Sequence, residues 1–189
     1  MFKSILLSVT LLVSSATTFA EDLCSSLSIP QKYHMLKAYN YAEEHVGKGW
    51  GIIFAGIALQ ESELGLRIRN DKSKDYGVFQ NNIKTVVKRN KINPAVAKRN
   101  LLRSFEYSAK ESHKELAFWV KVHGDPNKKG NLQRILRSYN AGYNYSSPVA
   151  KKYSKDVLKK MEGLSQCDKL NVNLGEVTYA RIATIKEAS

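Results

Sequence analysis

The chain has 189 residues, a net charge of +13 and 43% hydrophobic residues. This length fits one domain and excludes a chain too small to bury a sizeable core. The positive charge predicts an anionic partner, such as nucleic acid or the cell envelope, or serves solubility alone.

The first twenty residues have the features of a secretory signal peptide. Lys3 precedes an apolar run over residues 5–13, and Thr18-Phe19-Ala20 places small residues at the two positions that a signal peptidase recognises. The run is short for a membrane anchor, which needs about 20 apolar residues. A lipoprotein is not favoured, because the residue before Cys24 is not small. We therefore predict export to the periplasm or cell wall, where the anionic envelope is a better partner than nucleic acid.

Cys24 and Cys167 are the only two cysteines, and they lie near the ends of the predicted domain at residues 21–167. In an exported protein, an even pair of cysteines indicates a disulfide first. Closing so long a loop would stabilise the fold by about 4–5 kcal/mol in the chain-entropy model. A metal site or a nucleophilic cysteine is less favoured, because neither cysteine lies near a candidate base in sequence.

The remaining pattern predicts a mostly α-helical single domain. Ser28-Ile29-Pro30 is typical of a helix start, and this helix is expected to end at Gly47 or Gly49. The run from Trp50 to Leu59 has no charged residue, which indicates a buried central helix. Residues 63–76 are polar and predict an irregular surface loop.

Further helices are predicted on the carboxyl side of this loop, with a turn at residues 124–130. Basic side chains of the first of them, Arg89 included, are expected to face outward. The tail at residues 168–189 fits either a strand or a disordered extension. The predicted helices cover residues 83–90, 95–105, 106–123 and 132–139, and a last, lysine-rich one starts at residue 147.

Glu61 lies at the carboxyl end of the predicted buried helix. This end of the helix dipole disfavours a carboxylate, and apolar surroundings do the same, so both raise the pKa of the side chain. A carboxyl group that stays protonated near neutral pH is what a general acid requires. Alternatively, Glu61 is only the first solvated residue after a core helix.

Other chemistries have little support in the sequence. The four histidines form no H-E-x-x-H pair and no close cluster with cysteine, so no metal site is predicted. No serine lies in a G-x-S-x-G motif, and no glycine-rich phosphate loop is present. We therefore predict no cofactor.

Three polar segments remain, and each interrupts or follows an apolar helix. They are Gln60-Glu61-Ser62, then Ser73 with Gly77-Val78-Phe79-Gln80, then Ser138-Tyr139-Asn140-Ala141-Gly142 with Tyr153 beyond it. Their order and spacing resemble the catalytic domain of the soluble lytic transglycosylases, a lysozyme-like fold that cleaves the glycan strand of peptidoglycan. That family has Glu-Ser, Gly-Leu-Met-Gln and Ala-Tyr-Asn-Ala-Gly, followed by a second tyrosine. The resemblance covers about residues 36–160.

The resemblance implies a role for each matched residue. Glu61 would be the catalytic acid and base, and Tyr139 would hold its carboxyl group by a hydrogen bond. Tyr153 matches a tyrosine of the cleft more loosely. The residues that would orient or contact the substrate are Ser62, Ser73, Gln80 and Asn140. The chain departs from the family pattern at Val78-Phe79 and Ser138, and after Gln80 it matches only at Thr85.

The resemblance also implies a mechanism that needs one carboxyl group, and within the matched motifs only Glu61 carries one. Glu61 would protonate the bond between N-acetylmuramic acid and N-acetylglucosamine, and then deprotonate the muramic 6-hydroxyl to leave a 1,6-anhydro end. A hydrolytic muramidase, such as a phage endolysin, would instead use Asp71 or Asp75 to orient water. A third interpretation is a non-catalytic protein that binds the cell envelope.

The expected partners are peptidoglycan glycan strands and the anionic envelope, and the protein is expected to be a monomer. The sequence leaves three roles open: remodelling of the wall, local opening of the wall for a secretion machine, and phage lysis.

Overall fold

The structure is a computed structural model and describes residues 23–167. Within this range the chain is mostly helical, as predicted. The predicted signal peptide at residues 1–20 and the tail at residues 168–189 lie outside the described residues. After a helical turn at residues 23–26, the helices are α1 (Ile29–His45), α2 (Gly51–Ser62), α3 (Ile83–Asn90), α4 (Pro94–Arg103), α5 (Phe105–His123), α6 (Asn131–Ala141) and α7 (Pro148–Leu164), with a 3₁₀ turn at Gly142–Asn144 between the last two.

The helix boundaries follow the local signals in the sequence. The Ser28 side chain and Gln31 form a capping box at the start of α1, and Pro30 lies in its first turn. Asn93 and Ser147 cap α4 and α7, each just before a proline.

The bounds predicted for α3 to α6 agree with the observed bounds to within about two residues. Helix α1 ends at His45, two to four residues before the predicted end at Gly47 or Gly49. Helix α2 ends at Ser62, so Glu61 lies at its carboxyl end as predicted.

The segment after α2 is not the irregular loop that was predicted. It contains three two-residue strands, β1 (Arg69–Asn70), β2 (Asp75–Tyr76) and β3 (Asn81–Asn82), which pair antiparallel in that order. Strands of two residues are too short to show alternating hydrophobicity, so the sequence pattern did not reveal them. Gly77 follows β2 with φ 85°, and a Cβ atom there would lie 2.7 Å from the carbonyl oxygen of Leu101.

Helix α2 is the centre of the hydrophobic core. Every residue from Gly51 to Leu59 is buried, as the uncharged run predicted. The helix packs against α1 on one side and α7 on the other. Gly56 permits the close contact with α7, because a Cβ atom there would lie 2.5 Å from Cγ of Met161. The carboxyl end of α2 is thereby held in a fixed position relative to α7.

The predicted disulfide is confirmed. Cys24 and Cys167 are bonded across a sequence separation of 143 residues, and both side chains are buried. The bond joins the two ends of the described chain beside the main core. Among residues 23–167, no helix is both long enough and apolar enough to cross a lipid bilayer.

Candidate active site

An open pocket of about 360 Å³ lies where the carboxyl end of α2 meets the small sheet and α3, α5 and α6. Segments from all three predicted motifs contribute to it, although they are far apart in sequence. The lining residues are Glu61, Asp75, Gln80, Asn81, Asn82, Thr85, Val86, Arg89, Glu115, Ser138, Tyr139, Asn140 and Gly142.

The Glu61 carboxyl group lies in this pocket, in the last turn of α2. Its Oε1 accepts a 2.5 Å hydrogen bond from the hydroxyl of Tyr153. Burial raises the pKa of Glu61 to about 7, while the Tyr153 hydrogen bond lowers it. The negative charge of Asp75 raises this pKa further, and the positive charge of Lys160 lowers it. Near neutral pH the group is therefore present in both its acid form and its base form.

The two tyrosines do not have the roles that the sequence predicted. Tyr139 was expected to hold the Glu61 carboxyl group, but its hydroxyl donates to the backbone carbonyl of Phe79 at 2.9 Å and shares a second hydrogen bond, 3.0 Å long, with Ser112. A tyrosine hydroxyl has one proton, so the bond to Phe79 leaves none for Glu61. Tyr153, matched only loosely to a cleft tyrosine, makes the carboxyl contact instead.

Ser62 supports the pocket from behind rather than lining it. Its side chain is buried, and its hydroxyl donates to the carbonyl oxygen of Val78 at 2.6 Å. The same hydroxyl accepts a 2.9 Å hydrogen bond from the backbone N–H of Gly65. Ser62 thus ties the end of α2 to the segment before Gln80, which agrees with the predicted structural role, whereas the predicted substrate contact is not compatible with its burial.

Gln80 and Asn140 both line the pocket, as predicted. Gln80 has φ 44°, in the left-handed region, and its side-chain amide donates to the carbonyl oxygen of Gly77 at 2.9 Å. This bond holds the Gln80 side chain against its own turn, at the wall of the pocket. Asn140 is exposed near the end of α6.

Ser73 and Asp71 lie outside the pocket. Ser73 is exposed in the turn between β1 and β2, so its predicted contact with substrate is not supported by its position. Asp71 accepts hydrogen bonds from Tyr76 at 2.8 Å and from Lys98 at 2.7 Å. These partners hold Asp71 against α4, so it is not placed to orient water in the pocket.

Asp75 is a further pocket carboxylate that the three motifs did not reveal, beside Glu115, which is ion-paired with Arg89. It lines the pocket with Glu61, and its Oδ1 accepts a 2.8 Å hydrogen bond from the side-chain amide of Asn82. The two residues are directly opposite each other in the β2–β3 pair. The sequence placed Asp75 in the loop as an alternative to Asp71 for a hydrolytic reaction.

A group of paired charged side chains lies between α3 and α5, at one wall of the pocket. Arg89 was expected to face solvent, but its guanidinium forms ion pairs with Glu111 and Glu115, and its side chain is 25% exposed. Glu115 also accepts a 2.8 Å hydrogen bond from Nε1 of Trp119, and Lys114 pairs with the buried Glu111 at 2.6 Å. The two positive and two negative charges of this group balance, so we interpret the group as structural support for the pocket wall.

Among residues 23–167, no group of three or more histidine, cysteine, aspartate or glutamate side chains is arranged to hold a metal ion. No protein-family model matches the chain, and no curated protein and no solved structure matches it.

Proposed function

We propose that the protein cleaves the glycan strand of peptidoglycan, as a lytic transglycosylase with a lysozyme-like fold and with Glu61 as its single acid and base. The observation that carries this proposal is the Glu61 carboxyl group in an open pocket, hydrogen-bonded by Tyr153, with a pKa raised to about 7. The resemblance of the three motifs to that family supplies the substrate class.

In the first step, protonated Glu61 donates its proton to the glycosidic oxygen, and the bond to the anomeric carbon of the muramic residue breaks through an oxocarbenium-like state. The bond from Tyr153 to Oε1 fixes the plane of the carboxyl group. This bond and the charge of Lys160 stabilise the carboxylate that forms. Lys160 is held beside α2 by a 2.6 Å hydrogen bond to the side chain of Gln60.

In the second step, the Glu61 carboxylate takes the proton of the muramic 6-hydroxyl, whose oxygen bonds to the anomeric carbon and closes the 1,6-anhydro ring. The attacking group belongs to the same sugar, so its effective concentration is high and no water molecule has to be positioned. Glu61 ends the cycle protonated. A pKa near the working pH suits a residue that must first give and then accept a proton.

Hydrolysis by the same pocket is a second candidate, and the position of Asp75 favours it. Asp75 lines the pocket together with the general acid, and most hydrolytic glycosidases use a second carboxylate in this way. Asp75 would then activate a water molecule that attacks the anomeric carbon. If Asp75 has this role, Asp75→Asn reduces turnover by about 10²-fold or more. If the reaction is the transglycosylation described above, Asp75→Asn keeps the anhydro product.

Digestion of purified peptidoglycan tests the proposal. Mass spectrometry of the wild-type digest should show muropeptides with 1,6-anhydro ends, and Glu61→Gln should lower the rate by about 10²- to 10⁴-fold. Glu63→Gln is a matched control, because Glu63 follows α2 directly but does not line the pocket.

Three outcomes would count against parts of the proposal. Products that carry only reducing ends would indicate a hydrolytic muramidase instead of a transglycosylase. A fully active Glu61→Gln variant would remove the proposed acid. A wild-type protein that binds peptidoglycan and clears no zone in a zymogram would indicate the non-catalytic envelope-binding protein.

We also propose that residues 1–20 direct export and that the lysines of α7 hold the enzyme on the anionic wall. The support is the sequence of the first twenty residues, the net charge of +13 and the disulfide, which suits an oxidising compartment. The amino terminus of the protein recovered from the periplasm or medium should then begin at Glu21. Recovery of a chain that begins at Met1 from the cytoplasm alone would exclude export.

A further inference from the structure

A cluster of aromatic rings continues the pocket wall beyond Glu115. The ring of Tyr143 packs edge-to-face on Trp119, with centroids 5.1 Å apart and an interplanar angle of 77°. Nε1 of Trp119 donates to Glu115 at 2.8 Å, and Glu115 lines the pocket. Tyr143 also directly follows Gly142, another lining residue. The Tyr143 ring is therefore connected to the pocket wall by two separate routes.

A second pair of rings reinforces the same side of the pocket. The rings of His123 and Tyr145 are 4.9 Å apart and nearly perpendicular, and His123 stacks on Trp119 at 6.0 Å. Nε2 of His123 is hydrogen-bonded to the hydroxyl of Ser138 at 2.8 Å, and Ser138 lines the pocket. The cluster and the pocket thus share their supporting residues.

Tyr143 is exposed even though its support is buried. Its exposed fraction is 74%, whereas that of Trp119 is 3%. Trp119 contacts Tyr143 in an edge-to-face arrangement, so the contact fixes the orientation of the tyrosine ring without covering it. A ring this exposed adds little to the hydrophobic core. The contact with Trp119 does, however, restrict the ring, which lowers the side-chain entropy that it would lose on binding a ligand.

The chemistry of this surface suits a sugar. The face of an aromatic ring carries partial negative charge, and the axial C–H bonds on the face of a β-linked pyranose carry partial positive charge. The sugar hydroxyls at its rim then remain in contact with water or with polar neighbours such as Asn140, which lines the pocket three positions before Tyr143. A strand longer than the pocket has to leave it past one of its walls, and the Trp119–Tyr143 pair adjoins the wall that contains Glu115 and Gly142.

We infer that Tyr143, supported by Trp119, is a stacking subsite for a pyranose ring of the glycan strand that lies in the Glu61 pocket, outside the sugars held in the pocket itself. The inference rests on the proposed function, because the strand has to occupy the pocket for its continuation to meet Tyr143. The subsite adds affinity for long strands and takes no part in proton transfer.

Calorimetric titration with peptide-free glycan strands tests the subsite. The titrations use Glu61→Gln as the parent protein, so that the strands are bound without being cleaved, and compare a disaccharide with strands of eight or more sugars. Adding Tyr143→Ala should weaken binding of the long strands by about 3- to 10-fold, the size expected for one aromatic contact, and leave binding of the disaccharide unchanged. Tyr143→Phe, which keeps the ring, should bind as the parent does.

Tyr33→Ala is the matched control, because Tyr33 is also an exposed tyrosine (59%) but lies on α1, outside the pocket. It should bind strands of both lengths as the parent does. If Tyr143→Ala binds long strands as tightly as the parent while the wild type digests peptidoglycan, the subsite is refuted and the proposed function stands. An equal loss for both lengths of strand also refutes the subsite. If the parent binds no strand and the wild type digests none, the proposed function fails and the subsite fails with it.

Discussion

Replacing Glu61 by glutamine should make the folded protein more stable at pH 8, although it removes the proposed acid. The pKa of Glu61 is about 7 in the folded protein, against an ordinary value of 4.5. Between these values the folded state holds a proton that the unfolded state has lost. The free energy of unfolding of the wild type therefore falls as the pH rises through this window, because a raised carboxyl pKa favours folding only while the group stays protonated.

The difference between the two pKa values of Glu61 corresponds to about 3 kcal/mol. This is an upper value, because the carboxyl group is partly open to solvent in the pocket. Glutamine has nearly the same shape and no charge, and its side-chain oxygen can accept the hydrogen bond that Tyr153 donates. The variant should therefore keep the local packing but lack the decrease in the free energy of unfolding that ionisation of Glu61 causes in the wild type.

The measurement is urea unfolding of the wild type and of Glu61→Gln at pH 4 and at pH 8. The free energy of unfolding of the variant, relative to that of the wild type, should rise by up to about 3 kcal/mol between pH 4 and pH 8. Glu44→Gln is the control, because its carboxyl group is on α1 and its side chain is 76% exposed. An unchanged difference at the two pH values would show that the pKa of Glu61 is not raised, and Glu61 would then be ionised near neutral pH and unable to act as a general acid.

Other parts of the structure lead to further predictions. Tyr153→Phe removes a hydrogen bond that lowers the pKa of Glu61, so the alkaline limb of the rate profile should move up by about one pH unit; a limb that stays in place would exclude this coupling. Reduction of the disulfide, or Cys24→Ala together with Cys167→Ala, should lower the free energy of unfolding by about 4 kcal/mol in urea titrations; no loss would mean that the loop closure contributes nothing. Retention on purified cell wall should decrease with added salt, and also when three exposed lysines of α7 are replaced by glutamate, namely Lys151, Lys155 and Lys159. Retention that does not depend on salt would contradict the electrostatic role.

Local sequence signals were sufficient for most of the fold. The run from Trp50 to Leu59 has no polar face, and a helix of this kind is stable in water only when it is covered on all sides. The start of α1 and the starts of α4 and α7 carry capping residues whose effect extends over a few positions only. The same locality explains why the small sheet was missed, because its strands depend on pairing between segments and not on their own residue pattern.

The position of Glu61 at the end of a buried helix followed from the sequence, and the sequence offered a raised pKa as one of two interpretations, the other being a solvated side chain. The structure decides between them, because burial in the tertiary fold raises the pKa of Glu61. The pairing of Cys24 with Cys167 could also be predicted from the sequence, because the chain has no other cysteine.

The partners of Glu61 were decided only by the tertiary structure. Tyr139 and Tyr153 both lie on helices far along the chain, and either could reach the carboxyl group until the packing of α6 and α7 against α2 is known. The close contact at Gly56 brings α7 against α2 and Tyr153 to Glu61, while the hydroxyl of Tyr139 is taken by Phe79. Asp75 likewise reaches the pocket through strand pairing. A hydrogen bond or a charge contact acts over a few ångströms of space, and sequence spacing does not specify which distant side chains come that close.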